Sequence, residues 1–181
     1  MNTANRITIS RIFFIPLFIV FLFILGWKGK VISLIVFLLA CFTDWLDGYI
    51  ARKKKQVTTT GKIMDPVADK ILVYSSFICF IYLKIIPFWM VLILLARDFL
   101  VMALRVELAA RGNVLAACYT AKVKTVLEYA VILFVFIFFL LPPGILRQGM
   151  LWFIWSAMGA AVIFAVISGF EYTQEAKQYL K

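Results

Sequence analysis

VISLIVFLLACFTDWLDGYI, residues 31–50, decides how this chain folds. Its uncharged part, Val31 to Thr43, is 13 residues long, whereas a helix needs about 20 residues to cross a bilayer. A crossing that starts at Val31 therefore carries Asp44 and Asp47 with it, through to Ile50. At a rise of about 1.5 Å per residue, Asp44 then lies roughly 9 Å from the inner end of that helix. An ionised side chain at membrane depth costs roughly 3 kcal/mol on insertion scales, so two in one span call for a compensating cation.

The rest of the chain reads as membrane protein too. Of its 181 residues, 65% are hydrophobic and 17% aromatic, with a mean hydropathy of +1.01, against roughly half apolar in a soluble domain. Six segments can each supply a spanning helix: Thr8–Trp27, Val31–Ile50, Pro66–Leu83, Phe88–Ala110, Ala121–Leu141 and Gln148–Phe170. The breaks fall at Gly26 to Lys30, the basic run Arg52 to Lys55, Lys84 to Pro87, Arg111 to Asn113 and Pro142-Pro143-Gly144, all of them turn chemistry. The expected fold class is all-α, a polytopic integral membrane protein of six transmembrane helices, with one membrane domain over residues 1–181. No small-residue cleavage site follows Phe23 to Trp27, so the first helix is expected to be retained and not removed as a signal peptide.

Charge sets the expected orientation. With the N-terminus in the cytoplasm, the outer loops hold only Lys28, Lys30, Lys84 and Arg147, leaving 15 of the 19 basic residues on or toward the inner side, as cytoplasmic loops require. Both termini are then cytoplasmic, and Trp27, Trp89 and Trp152 fall near the outer boundary like an aromatic belt. Asp65 and Asp69 open the third helix on the inner side. They join Asp44 and Asp47 at one depth, just inside the cytoplasmic face of the cell membrane.

On a helix Asp44, Asp47, Gly48, Ala51 and Arg52 stand at i, i+3, i+4, i+7 and i+8, which is one face; Gly61, Asp65 and Asp69 repeat at i+4 spacing. Each has an ordinary reading: Asp65 as a helix N-cap before Pro66, Asp44 or Asp47 paired with Arg52, Gly48 as a packing contact. Jointly those readings fare worse, because four crowded carboxylates repel one another and raise one another's pKa. Arg52, Lys62 and Lys70 can neutralise part of that charge. Oxygen-only donors suit hard divalent ions such as Mg2+ or Mn2+, and four carboxylates can hold two of them, the arrangement that clamps a transferring phosphoryl group. Gly48 and Ala51 leave room for a bulky ligand, and Arg52 can hold its phosphate bidentately.

The chain has no histidine, which removes the usual zinc ligand and every Ser/His or Cys/His nucleophilic pair. Proton chemistry falls to carboxylates. Cys41, Cys79 and Cys118 match no metal spacing and read as small core hydrophobes. The formal charge of +10 points to an anionic partner, either lipid headgroups or a phosphorylated substrate; nucleic acid is not expected. No internal repeat accompanies the aspartates, which weighs against an inverted-repeat transporter.

Asp44-x-x-Asp47-Gly48-x-x-Ala51-Arg52, eight residues, then Gly61-x-x-x-Asp65-x-x-x-Asp69 resembles the signature of the CDP-alcohol phosphatidyltransferase family. The resemblance implies that Asp44, Asp47 and Asp65 hold one metal, that Asp44, Asp65 and Asp69 hold a second, and that Asp69 is also the proton acceptor. It implies CDP-lipid contacts from Asn5, Thr8, Gly48, Ala51, Arg52, Thr58 and Gly61, and a homodimer. Flanking features resemble the branch that joins CDP-diacylglycerol to glycerol 3-phosphate: Asn5-x-x-Thr8-x-x-Arg11, Met64-Asp65-Pro66-x-Ala68-Asp69-Lys70, Arg97-Asp98-Phe99, Leu104-Arg105 and Ala121-Lys122-Val123-Lys124-Thr125. Against usual forms of Arg-Glu-Phe and Gly-Lys-x-Lys-Thr, Asp98 and Ala121 depart, as do Ala4, Met64 and Cys118; these departures bear on the acceptor alcohol.

A phosphorylated acceptor needs its own cations, and Arg105, Lys122 and Lys124 are the candidates, with headgroup contact as the alternative for the two lysines. Arg97, deeper and beside Asp98, reads as half of an intramembrane ion pair. Two rivals complete the expectation: a sister transferase using serine, inositol phosphate or phosphatidylglycerol, and a divalent-cation transporter with an acidic intramembrane site.

Overall fold

The computed structural model describes the backbone of residues 3–53, 59–113, 116 and 118–180, and the side chains of residues 13–43, 70–113, 116 and 118–179. Among them are six helices and no strand: α1 (Thr3–Ile24), α2 (Gly26–Lys53), α3 (Thr59–Tyr82), α4 (Phe88–Ala110), α5 (Tyr119–Leu140) and α6 (Ile145–Leu180). The all-α class and the helix order are those expected, and α2 runs unbroken through Asp44 and Asp47. Several boundaries differ, α1 for one running over Thr3–Ile24 and not Thr8–Trp27. Lys28, Gly29 and Lys30 lie inside α2 and not in a loop, α3 starts six residues ahead of Asp65, and α6 continues ten residues beyond Phe170. An apolar run marks only the stretch that lipid demands. Once a helix is nucleated, each added residue brings its own backbone hydrogen bond whatever its side chain, so polar ends extend it.

This is a membrane protein. Three helices are long and apolar enough to cross a bilayer among the described residues, over Gly26–Thr43, Tyr119–Leu140 and Ile145–Tyr179, and shorter apolar stretches occupy Phe13–Ile24 and Lys70–Tyr82. In α4 the charges of Arg97, Asp98, Arg105 and Glu107 interrupt the apolar run. Trp27, Trp89 and Trp152 are all exposed, as residues that face lipid or its headgroups must be.

The helices gather into two compact units, Met1–Cys79 with Phe139–Pro142, and Phe80–Phe138 with Pro143–Lys181. In the first, α1 folds back on α2 through a single bend at Leu25. Phe18 and Leu22 bury themselves on α1, and Val36, Phe37 and Ala40 on α2; the Phe18 and Phe37 rings meet at 6.2 Å between centroids. Gly29 marks the closest approach, since a Cβ there would stand 2.1 Å from the carbonyl oxygen of Phe21. Buried Ser33 turns its hydroxyl onto the Lys30 carbonyl at 3.0 Å, the usual way a hydroxyl is satisfied inside a helix.

In the second unit, heptad-like stripes carry the packing. α4 buries Val91, Leu94, Asp98, Val101 and Leu108; α5 buries Lys124, Glu128, Val131, Val135 and Phe138; α6 buries Ile154, Met158, Ala161, Ala165, Ser168, Tyr172 and Ala176. Small residues on α6 let α4 pack closely against it. The Trp155 indole donates to the Ile85 carbonyl at 2.8 Å, pinning the α3–α4 turn. Helix α4 ends in a Schellman motif: Asn113 N–H donates to the Leu108 carbonyl at 2.9 Å, and Gly112, at φ +77°, donates to Ala109 at 3.1 Å.

Candidate active site

The acidic segment lies on two helices. The backbone of α2 is helical through Asp44, Asp47, Gly48, Ala51 and Arg52, and that of α3 through Gly61, Asp65 and Asp69, so the i, i+3, i+4 and i, i+4 spacings do fall on helix. The side chains of all these residues, and of Asn5 and Thr8 on α1, lie outside the described residues, as does Thr58 entirely. One expectation is corrected: Asp65 and Pro66 do not open α3, because the helix begins at Thr59. Asp65 is therefore not the N-cap, which withdraws the ordinary structural role offered for it.

The second unit holds the cations expected at the acceptor. Lys124 is fully buried, its Nζ 2.7 Å from Asp98 Oδ2 and 2.5 Å from Glu128 Oε1. Asp98 turns its other oxygen to Arg97 Nη1 at 3.0 Å, as the adjacency of the two residues suggests, and Arg97 Nη2 donates to Ser168 Oγ at 2.7 Å. Among the described residues, Arg97 and Lys124 thus face Asp98 and Glu128 in the apolar interior, where unpaired charge is not tolerated. This cluster ties α4 to both α5 and α6.

Arg105 and Lys122 differ from Lys124. Both are exposed; Arg105 Nη2 donates to the Tyr172 hydroxyl at 2.9 Å, and the backbone N–H of Cys118 donates to the same oxygen at 3.2 Å. Thr120, next to Cys118 at the start of α5, donates to the Glu171 carboxylate. Tyr172, Ser168 and Glu128 were not among the expected residues. Glu128 carried a usable signal, an acid four residues after Lys124 on a helix. Ser168 and Tyr172 carried none, since a serine and a tyrosine in an apolar helix are unremarkable until their partners are placed. Of the cysteines, Cys79 is buried and Cys41 and Cys118 half-buried, as apolar fillers are.

An all-helical membrane protein with carboxylates grouped on two successive helices and cations on the next two suits chemistry on a phosphorylated lipid precursor. The model of the CDP-alcohol phosphatidyltransferase family matches residues 1–167, and the chain belongs to that family, which makes it a transferase. It is 37% identical over 194 residues to the CDP-diacylglycerol--glycerol-3-phosphate 3-phosphatidyltransferase of Bacillus subtilis (strain 168), covering 99% of this chain and 97% of that protein. The protein of the same name from Rickettsia felis is 34% identical over 98% of this chain and 97% of its own length. A probable phosphatidylglycerophosphate synthase of Mycobacterium tuberculosis (strain ATCC 25618 / H37Rv) is 33% identical over 97% and 81% respectively. The cation-transporter alternative gives way to this family membership.

Proposed function

We propose that this protein transfers the phosphatidyl group of CDP-diacylglycerol to glycerol 3-phosphate, giving phosphatidylglycerophosphate and CMP at the cytoplasmic face of the cell membrane. The observation that carries the proposal is the end-to-end similarity to the Bacillus subtilis transferase so named, together with all eight signature positions in the sequence. The protein would cross the membrane six times, keep both termini in the cytoplasm and act as a homodimer.

The donor set fits hard cations: four carboxylates and, in a chain without histidine, no imidazole. Asp44, Asp47 and Asp65 would hold one Mg2+ or Mn2+, and Asp44, Asp65 and Asp69 the second. Bound there, such ions supply charge stabilisation at the pyrophosphate. Arg52 would grip a phosphate of the CDP-lipid, with Asn5, Thr8 and Thr58 beside it, and Gly48, Ala51 and Gly61 leaving room for the nucleotide. Asp69 accepts the proton of the glycerol 3-phosphate hydroxyl. The hydroxyl oxygen bonds to the lipid-side phosphorus, the phosphoanhydride bond to the CMP phosphate oxygen breaks, and CMP leaves with that electron pair.

At the acceptor phosphate, Arg105, Lys122 and Lys124 are the cations in reach of the proposal. Exposed Arg105 and Lys122 offer their charge directly, while Lys124 is engaged by Asp98 and Glu128 and would serve through the position of α5. Purified enzyme in detergent, supplied with CDP-diacylglycerol and a divalent cation, tests the proposal. CMP release should depend on glycerol 3-phosphate and not on serine, inositol phosphate or phosphatidylglycerol. Release driven by one of those instead would assign a sister transferase.

A further inference from the structure

We infer that Tyr172 is a positioning residue for the acceptor phosphate, its buried hydroxyl holding the Arg105 guanidinium and the start of α5 in the geometry that receives the phosphate; this rests on the acceptor reading proposed above. Only 1% of Tyr172 is accessible, and it packs among Val101, Leu108 and Ala176 with Leu104 and Ala121 at the edge. Its hydroxyl accepts from Arg105 Nη2 at 2.9 Å and from the backbone N–H of Cys118 at 3.2 Å. The Arg97 and Arg105 guanidinium carbons each lie 5.3 Å from its ring centre, within cation–π range. One phenol therefore fixes an otherwise exposed arginine on α4 and the residue that precedes α5, on whose first turn Lys122 stands.

A guanidinium suits this double duty. One nitrogen anchors on Tyr172 while the remaining donors of the planar fork stay available for a phosphate. An unanchored arginine would have to give up rotamer freedom each time the acceptor binds, which weakens binding. Removing the hydroxyl should therefore weaken the acceptor and leave the CDP-lipid alone. A tyrosine with a purely packing role would not discriminate between the two substrates.

The test measures KM for each substrate in full-length enzyme carrying Tyr172→Phe, Arg105→Ala or both. We expect Tyr172→Phe to raise the glycerol 3-phosphate KM roughly tenfold, the worth of a hydrogen bond to a charged group, with the CDP-diacylglycerol KM unchanged. Arg105→Ala should raise it further, and the double variant should fall well short of the product of the two single effects, since coupled residues are not additive. A glycerol 3-phosphate KM within about twofold of wild type in Tyr172→Phe, beside a raised KM in Arg105→Ala, would overturn the positioning role and leave the acceptor assignment standing. Equal rises for both substrates, or effects that multiply in the double variant, would also overturn it. Unaltered KM in Arg105→Ala would remove the acceptor role of Arg105 and the inference together, whereas wild-type enzyme that ignores glycerol 3-phosphate would fail the function itself. If Tyr172→Phe does not accumulate, Arg105→Lys reports the same quantity: its compact ammonium cannot rest on Tyr172 and reach a phosphate at once, and a wild-type KM there would refute the anchor.

Discussion

Asp98 occupies a position in the α4 stripe that hydrophobic packing would give to a leucine, between Leu94 and Val101. It is admitted there because Lys124 and Arg97 close on its two oxygens. Such an arrangement contributes little when complete and costs much when broken. Lys124→Met, which removes the ammonium held between Asp98 and the fully buried Glu128, is expected to destabilise the protein by about 3 to 5 kcal/mol, seen as a lower Tm in detergent. Adding Glu128→Leu should restore most of that loss, because an apolar pair of similar volume replaces the ion pair. Asp69 bears the other prediction at this scale. Asp69→Asn keeps the shape and one oxygen donor but cannot accept the proton, so turnover should fall by about 100-fold or more while metal-dependent CDP-diacylglycerol binding persists. Normal turnover in that variant would remove Asp69 from the base role.

Among the elements, the α1–α2 hairpin and helix α6 show what was legible in the sequence and what was not. The missing length between Val31 and Asp44 was enough to carry α2 through the aspartates, because a bilayer imposes a minimum span. The tight start of α2 was not legible: Gly29 looked like a loop residue in Gly26 to Lys30, and only the nearness of the Phe21 carbonyl explains it. Nor was the end of α6, since Glu171 to Leu180 lacks the apolar pattern that announces a span, although at about 1.5 Å per residue a 36-residue helix far exceeds a bilayer core of about 30 Å. The buried charge cluster of α4 and α5 shared that fate. Asp98 and Lys124 are 26 positions apart, and nothing short of packing brings them together. The glycine readings can be checked by one substitution at two places. Gly29→Ala puts a methyl into a backbone oxygen and should cost about 1 to 3 kcal/mol. Gly149→Ala meets nothing within 4 Å and should be neutral or stabilising by up to about 1 kcal/mol. Equal Tm values for the two variants would show that the hairpin is looser than described.

At the scale of the whole molecule, the distribution of charge argues for one orientation. Asp44 and Asp47 toward the C-terminal end of α2, and Asp65 and Asp69 in the early turns of α3, flank a basic run in the sequence, Arg52, Lys53, Lys54 and Lys55, whose first two residues still belong to α2. Basic residues next to a span favour the cytoplasmic side, which supports the proposed placement of the aspartates where a water-soluble acceptor and the CMP product would be found. At the other end of the chain, α6 carries Glu171, Glu175 and Lys177 exposed or half-exposed. The six crossings proposed above would put both termini on the same side. A reporter enzyme that is active only outside the cytoplasm should therefore be silent when fused after Lys181 and active when inserted in the Lys84 to Pro87 turn. A partner reporter that fluoresces only in the cytoplasm should give the reverse pattern. Activity of the external reporter at both sites would mean an even number of crossings between them, against the three that α4, α5 and α6 would make, and would overturn the proposed topology.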